Sequence, residues 1–264
     1  MEQIHNKSIV LHHPRDLKPF ARCTGNVLVV APHPDDDVIG AGGTMALLAQ
    51  AGKQVFSVYV TDGSSFPGSD SRGTDEQIIA LRQREALAAL KVVKAKGGIF
   101  LKGSSKKLKH KSSKAVEHAL RDVLDFLLPE SIYLPAPFEA HPTHRTVTQI
   151  TLRVLRSMRD YFPALWGYTV WGGIFSTRGF KIIDISAVAG LKRKAIRMHQ
   201  SQIAYKAYDA GILGRNRYEA IFSETHTPAR HSYVECFLNM KELVANKRLS
   251  LSTFINKILG NLYQ

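Results

Sequence analysis

Three consecutive carboxylates, Asp35, Asp36 and Asp37, follow a histidine in the run Pro32-His33-Pro34-Asp35-Asp36-Asp37. Adjacent carboxylates raise one another's pKa unless a cation or hydrogen bonds compensate, and a cation is the simplest compensation. Imidazole combined with carboxylate suits zinc, which in catalytic sites takes three protein ligands and leaves a fourth position to water. His33 and one aspartate offer two ligands. A second cluster, Glu139-Ala140-His141-Pro142-Thr143-His144-Arg145, offers a histidine to complete the set. An aspartate left outside the set is then free to take a proton from a metal-activated water. Each cluster alone has a plainer reading, with Asp35 and Asp36 as helix caps and His141 or His144 as a hydrogen-bonded surface residue. Their joint occurrence favours the metal.

Such residues need a scaffold that brings distant segments together. Asn26-Val-Leu-Val-Val-Ala31 is a short apolar run rich in β-branched residues, as expected of a strand buried on both faces of a parallel sheet. A helix over 44–51, a stop at Gly52 and a strand over 54–60 continue it as a βαβ unit. Further on, 76–93 reads as an amphipathic helix, 99–101 as a brief strand, 115–128 as a helix ahead of Pro129, 131–134 as a strand and 145–158 as a helix. This alternation predicts a Rossmann-like, doubly wound, mainly parallel α/β sheet. Both clusters then follow strands, at the carboxyl edge where open α/β sheets bind ligands. The last third is less regular: strands over 165–171 and 180–184 lie close together before a helix over 188–198, which suggests an antiparallel edge. The whole chain is expected to be one domain, with an N-terminal extension over 1–22 and a helical tail over about 241–264 that docks on the core rather than on a membrane surface. Gly40, Gly42 and Gly43 do not form a dinucleotide fingerprint, because His-Pro-Asp-Asp-Asp separates them from the strand-to-helix turn.

Taken in order, Val30-Ala-Pro-His-Pro-Asp-Asp-Asp37, Gly40-Ala-Gly-Gly43, Thr61-Asp-Gly63, Arg82-Gln-Arg-Glu85 and Glu139-Ala-His-Pro-Thr-His-Arg145 resemble the LmbE / PIG-L family of zinc-dependent N-acetylglucosamine deacetylases. His199-Gln-Ser-Gln202 is a weaker echo of the same pattern. The resemblance implies one zinc ion per chain held by His33, Asp36 and His144, with Fe2+ as an alternative occupant. It implies Asp35 as the general base, His141 beside the substrate carbonyl to steady an oxyanion, and Arg82 as a sugar-binding residue. For Arg82 the competing reading is a helix-surface arginine paired with Glu85. One departure stands out. Many members carry an aspartate where this chain has Thr143, and a hydroxyl adds no negative charge to support His141 as an acid.

The 264 residues are 44% hydrophobic and can bury a full core. Two cysteines, Cys23 and Cys236, neither build a Cys-rich metal site nor resemble a secreted disulfide framework. The polar start offers no signal peptide and no later run approaches a membrane span, so the expectation is a cytoplasmic protein in a reducing compartment. The formal charge of +14 points to an anionic partner. Nine lysines between Lys91 and Lys114, with no acid among them, form either a solvated loop or a phosphate-facing surface. With the resemblance, the expected substrate is an anionic N-acetylated amino sugar: a sugar nucleotide, a lipid-linked glycan met at a membrane, or a polysaccharide precursor. The alternatives are a zinc amidohydrolase for another amide, or a basic nucleic-acid-binding module with a vestigial metal site. The last is disfavoured, since aromatic residues are scarce in the lysine-rich block.

Overall fold

A computed structural model describes residues 9–11, 25–66, 69, 73–108, 113–172, 180–222 and 232–262. Cys23, Lys109, Lys111 and most of the polar start lie outside the described residues.

The elements run β1 (Ile9–Leu11), β2 (Asn26–Ala31), α1 (Asp36–Gln50), β3 (Gln54–Thr61), α2 (Asp75–Val92), β4 (Gly97–Gly103), α3 (Ser105–Leu108), α4 (Lys114–Leu127), β5 (Ser131–Pro135), α5 (Pro142–Ser157) and β6 (Ala164–Tyr168). There follow β7 (Phe180–Asp184), α6 (Ala189–Arg197), α7 (Gln200–Ile203), α8 (Tyr208–Phe222), β8 (Val234–Asn239), α9 (Lys241–Ala245) and α10 (Leu251–Leu262). They build one sheet in the order β1-β4-β3-β2-β5-β6-β8-β7. Strands β1 to β6 pair in parallel, and β8 runs antiparallel between β6 and β7. Helices cover both faces. One core joins Leu28, Val30 and Val58 to Leu120, Val147 and Phe254. The other joins Val29 and Tyr59 to Val38, Ala86, Ile196 and Ile212. The doubly wound expectation holds, and β2, buried along its whole length, is the apolar strand predicted.

Several boundaries differ for physical reasons. Strand β1 lies inside the segment expected to be an extension, and it pairs with β4 at the sheet edge. Helix α1 begins at Asp36 and not at residue 44, so the three glycines lie within it. A Cβ on Gly40 would run into the Tyr168 ring, and one on Gly43 would sit 2.6 Å from Ile185 Cγ2. These glycines let α1 approach β6 and the segment after β7. Helix α5 also starts earlier, with Pro142 in its first turn and His144 on that turn. In the tail, Phe254 of α10 is buried in the core, as a docked helix requires.

The lysine-rich stretch is not one patch. Lys91, Lys94 and Lys96 precede β4, whereas Lys102 near its end and Lys106 and Lys107 in α3 lie at the carboxyl edge of the sheet. The seven-residue strand separates the two groups by roughly 20 Å. Among the described residues no helix is long and apolar enough to cross a membrane.

Candidate active site

The carboxyl ends of β2, β3, β5 and β6 enclose a cavity of about 250 Å³ lined by His33, Asp35, Asp36, Arg82, His141 and Trp171, among others. A wider open groove of about 630 Å³ along α6, lined by residues such as Arg193 and Lys194, contains none of these groups.

The three consecutive aspartates have separate surroundings, and of them Asp35 and Asp36 line the cavity. Asp36 Oδ2 lies 2.9 Å from His33 Nδ1 and 3.2 Å from His144 Nε2, and those two nitrogens are 3.2 Å apart. Burial opposes the Asp36 charge, but His144 and His33 outweigh it and hold the carboxyl well below the usual carboxylate range. Asp35 turns the other way, with Oδ2 3.1 Å from Arg82 Nη2. Burial raises the Asp35 pKa, against the opposing pull of Arg82. Asp37 faces the core, where its Oδ2 accepts from Ser57 Oγ and Tyr59 Oη at 2.7 Å each. Burial lifts its pKa to about 6 despite those bonds. One turn of chain thus supplies a ligand candidate, a base candidate and a structural acid.

The triangle of 2.9, 3.2 and 3.2 Å is a fit to a metal. Ligand bonds of about 2.0–2.1 Å in a tetrahedron place donor atoms about 3.3 Å apart. The donor nitrogens of His33, His141 and His144 also lie within 4.8 Å of one another, which makes a looser second set.

Glu139 carries no role in the sequence-based reading, yet it organises the site. Its Oε2 lies 2.8 Å from His144 Nδ1. The carboxylate also accepts from the amides of Val170, Trp171 and Gly172. Burial works against its charge, but His144 and those amides keep its pKa low. His144 is raised to about 9: its burial is outweighed by Asp36 and Glu139. A carboxylate on the outer nitrogen of a ligating histidine is the usual way of fixing ring orientation. The signal available in sequence was an acid five residues before the histidine in a single loop.

His141 lacks such support. Its Nδ1 is buried with no hydrogen-bond partner among the described residues. Burial, then the neighbouring charges of His33 and His144, lower its pKa to about 4. Thr143, fully inside the fold, does not offset this.

Arg82 is buried, and its guanidinium meets the Pro34 carbonyl as well as Asp35, with the Phe66 ring 5.6 Å away. The surface pairing with Glu85 does not occur. Glu85 instead accepts from Ser201 N and Oγ, both at 2.7 Å, which draws α7 and Gln202 to the cavity.

Residues 28–155 match the GlcNAc-PI de-N-acetylase (PIG-L) family, and every residue discussed from His33 to His144 falls inside that span. This segment belongs to the PIG-L family. Across a longer stretch, the chain is 26% identical over 188 residues to the diacetylchitobiose deacetylase of Thermococcus kodakarensis, covering 67% of this chain and 69% of that protein. It is 25% identical over 183 residues to a probable N-acetyl-alpha-D-glucosaminyl L-malate deacetylase of Bacillus subtilis, covering 67% and 83%. The solved N,N'-diacetylchitobiose deacetylase of Pyrococcus horikoshii shares the fold at TM-score 0.70, with 22% identity and 88% of each chain covered. The PIG-L elements, β2 through α5, are the ones that build the cavity floor, whereas Trp171, Tyr205, Lys206 and Tyr208 at its rim come from later in the chain.

Proposed function

We propose that this protein is a metal-dependent hydrolase that removes the acetyl group from an N-acetylglucosamine-type amino sugar, with zinc held by His33, Asp36 and His144. The observation that carries this reading is the tight triangle of those three donors beside Asp35, where His33, Asp35 and Asp36 line a cavity of about 250 Å³. The family match and the relatives named for deacetylation support the same chemistry. Two imidazoles and a carboxylate suit zinc, and ferrous iron can use the same set. The looser three-histidine set is disfavoured, because it would leave the Asp36 oxygen against two ligands without a role.

When bound, the metal supplies Lewis-acid polarisation of the acetamide carbonyl and lowers the pKa of water. Asp35 takes the proton of the attacking water; its carboxyl, raised by burial, suits it to return that proton to the departing amine nitrogen. Arg82 holds the Asp35 carboxylate in place and favours its ionised form. His141, kept neutral, contributes a hydrogen bond to the developing oxyanion and not a transferred proton. Glu139 fixes the His144 ring. The products are acetate and a free amino sugar.

The test is metal analysis of the purified protein combined with acetate release from a panel of N-acetyl sugars and N-acylated amides that are not sugars. About one zinc per chain and acetate from the sugars alone are expected. Turnover confined to the other amides would replace this reading with a different amidohydrolase.

A further inference from the structure

A cavity of about 250 Å³ is small for a ligand site, so anything joined to the acetylated sugar must leave through the mouth. Among the described residues that mouth is aromatic and carries one ammonium, that of Lys206. Trp171 and Tyr205 line the cavity while remaining 46% exposed each. Lys206 Nζ lies 5.2 Å from the centroid of the Trp171 ring and 5.4 Å from that of Tyr205, within cation–π range of both. Among the described residues no carboxylate pairs with this lysine, so its three donors remain available to a ligand.

The position is built and not incidental. Tyr208 packs edge-on against Trp171 at 5.9 Å, and the His141 ring stacks at 6.5 Å. The Trp171 backbone is pinned by the Glu139 carboxylate, while Arg215 donates to the carbonyls of Thr169 and Val170 in the same loop. The rim and the metal cluster are therefore registered to each other.

The geometry points to Lys206, held between the Trp171 and Tyr205 rings, as a specificity-determining residue for substrates with an anionic group, phosphate or carboxylate, at the sugar's anomeric carbon. That carbon neighbours the one bearing the acetamide, and amino sugars join larger molecules through it. A ring face offers stacking to any sugar; only the ammonium distinguishes an anion from a neutral substituent. This inference rests on the deacetylase reading above.

The experiment compares kcat/KM for acetate release from N-acetylglucosamine 1-phosphate and from its methyl glycoside, using the zinc-loaded full chain and its Lys206→Met and Lys206→Arg variants. The wild type is expected to prefer the phosphate. Lys206→Met should cut the phosphate-to-methyl ratio about tenfold through KM, and Lys206→Arg should restore it. An unchanged ratio in Lys206→Met overturns the inference. A titration followed by tryptophan fluorescence, with glucosamine 1-phosphate as the probe, needs no turnover. Weaker binding by Lys206→Met in a protein that deacetylates neither sugar would keep the anion site and remove the deacetylase reading. Equal binding by the two proteins would remove the anion site alone.

Discussion

The Glu139 carboxylate sits 2.8 Å from His144 Nδ1 and is held from behind by the amides of Val170, Trp171 and Gly172. The histidine proposed as a ligand, at the start of α5, is thereby oriented through a carboxylate that the loop after β6 holds. Removing the Glu139 charge should loosen metal binding without dismantling the fold. For Glu139→Gln we expect metal affinity to fall about 10- to 100-fold, read by competition with a chromogenic chelator. Affinity equal to wild type would show that the carboxylate does not tune His144.

Metal uptake should release protons. With its pKa near 9, His144 is protonated at neutral pH in the metal-free protein and must lose that proton to ligate. Affinity is expected to rise with pH up to about 9 and then level off, with calorimetry in buffers of different ionisation enthalpy counting the protons. Stability of the metal-free form runs the opposite way. A histidine raised in the folded state contributes stability that is full below its unfolded value, about 6.5, and is lost as pH climbs through about 9. The chelator-treated protein should therefore melt at lower temperature at pH 9 than at pH 6.5. An opposite trend would place the His144 proton elsewhere.

Asp35→Asn should keep the metal and lose turnover, by about 10²- to 10⁴-fold in kcat. Metal analysis and acetate release on one preparation decide this. Near-normal turnover would remove Asp35 as the base.

Arg82→Met addresses the same carboxylate from the other side. The guanidinium lowers the Asp35 pKa, so its loss should move the acid limb of the kcat/KM profile to higher pH. An unmoved limb, with metal content intact, would mean that Arg82 does not act through Asp35.

A buried ion pair stands apart from the cavity lining. Lys192 Nζ meets Glu235 Oε1 at 2.7 Å with both side chains almost wholly enclosed, and Glu235 also accepts from the amides of Gly43 and Thr44 in α1. Lys192→Met leaves that buried carboxylate without its counter-charge and should cost about 3–5 kcal/mol in urea unfolding. Lys192→Met with Glu235→Gln should recover part of the loss; a midpoint unmoved by the single change would show that the pair carries no such weight.

Much of this arrangement was legible in the residue order. Strand β2 announces itself by an unbroken apolar run, and the alternation through α5 places both histidine clusters at one sheet edge. The start of α1 was harder to read, because glycines at 40, 42 and 43 look like a break when they are concessions to Tyr168 and Ile185, residues far away in sequence. Helix α8 and strand β8 went unpredicted. Strand β8 fits antiparallel between β6 and β7, a placement set by partners tens of residues away. Glu139 was visible as an acid near a histidine, but its three amide partners belong to another loop. Lys206 gave no sign at all, since only folding places it between two rings.

The Lys192–Glu235 pair also bears on the order in which the protein can be completed. Every proposed ligand and the proposed base precede residue 145, yet the helix that begins with Asp36 is clasped in its middle by a carboxylate from the third-to-last element of the chain. A growing polypeptide emerging from a ribosome would expose all of the proposed metal ligands well before that clasp arrives. The segment shared with the PIG-L family, residues 28–155, is in this sense unfinished, and a truncation before β8 would carry the chemistry without the fastening that holds it in register.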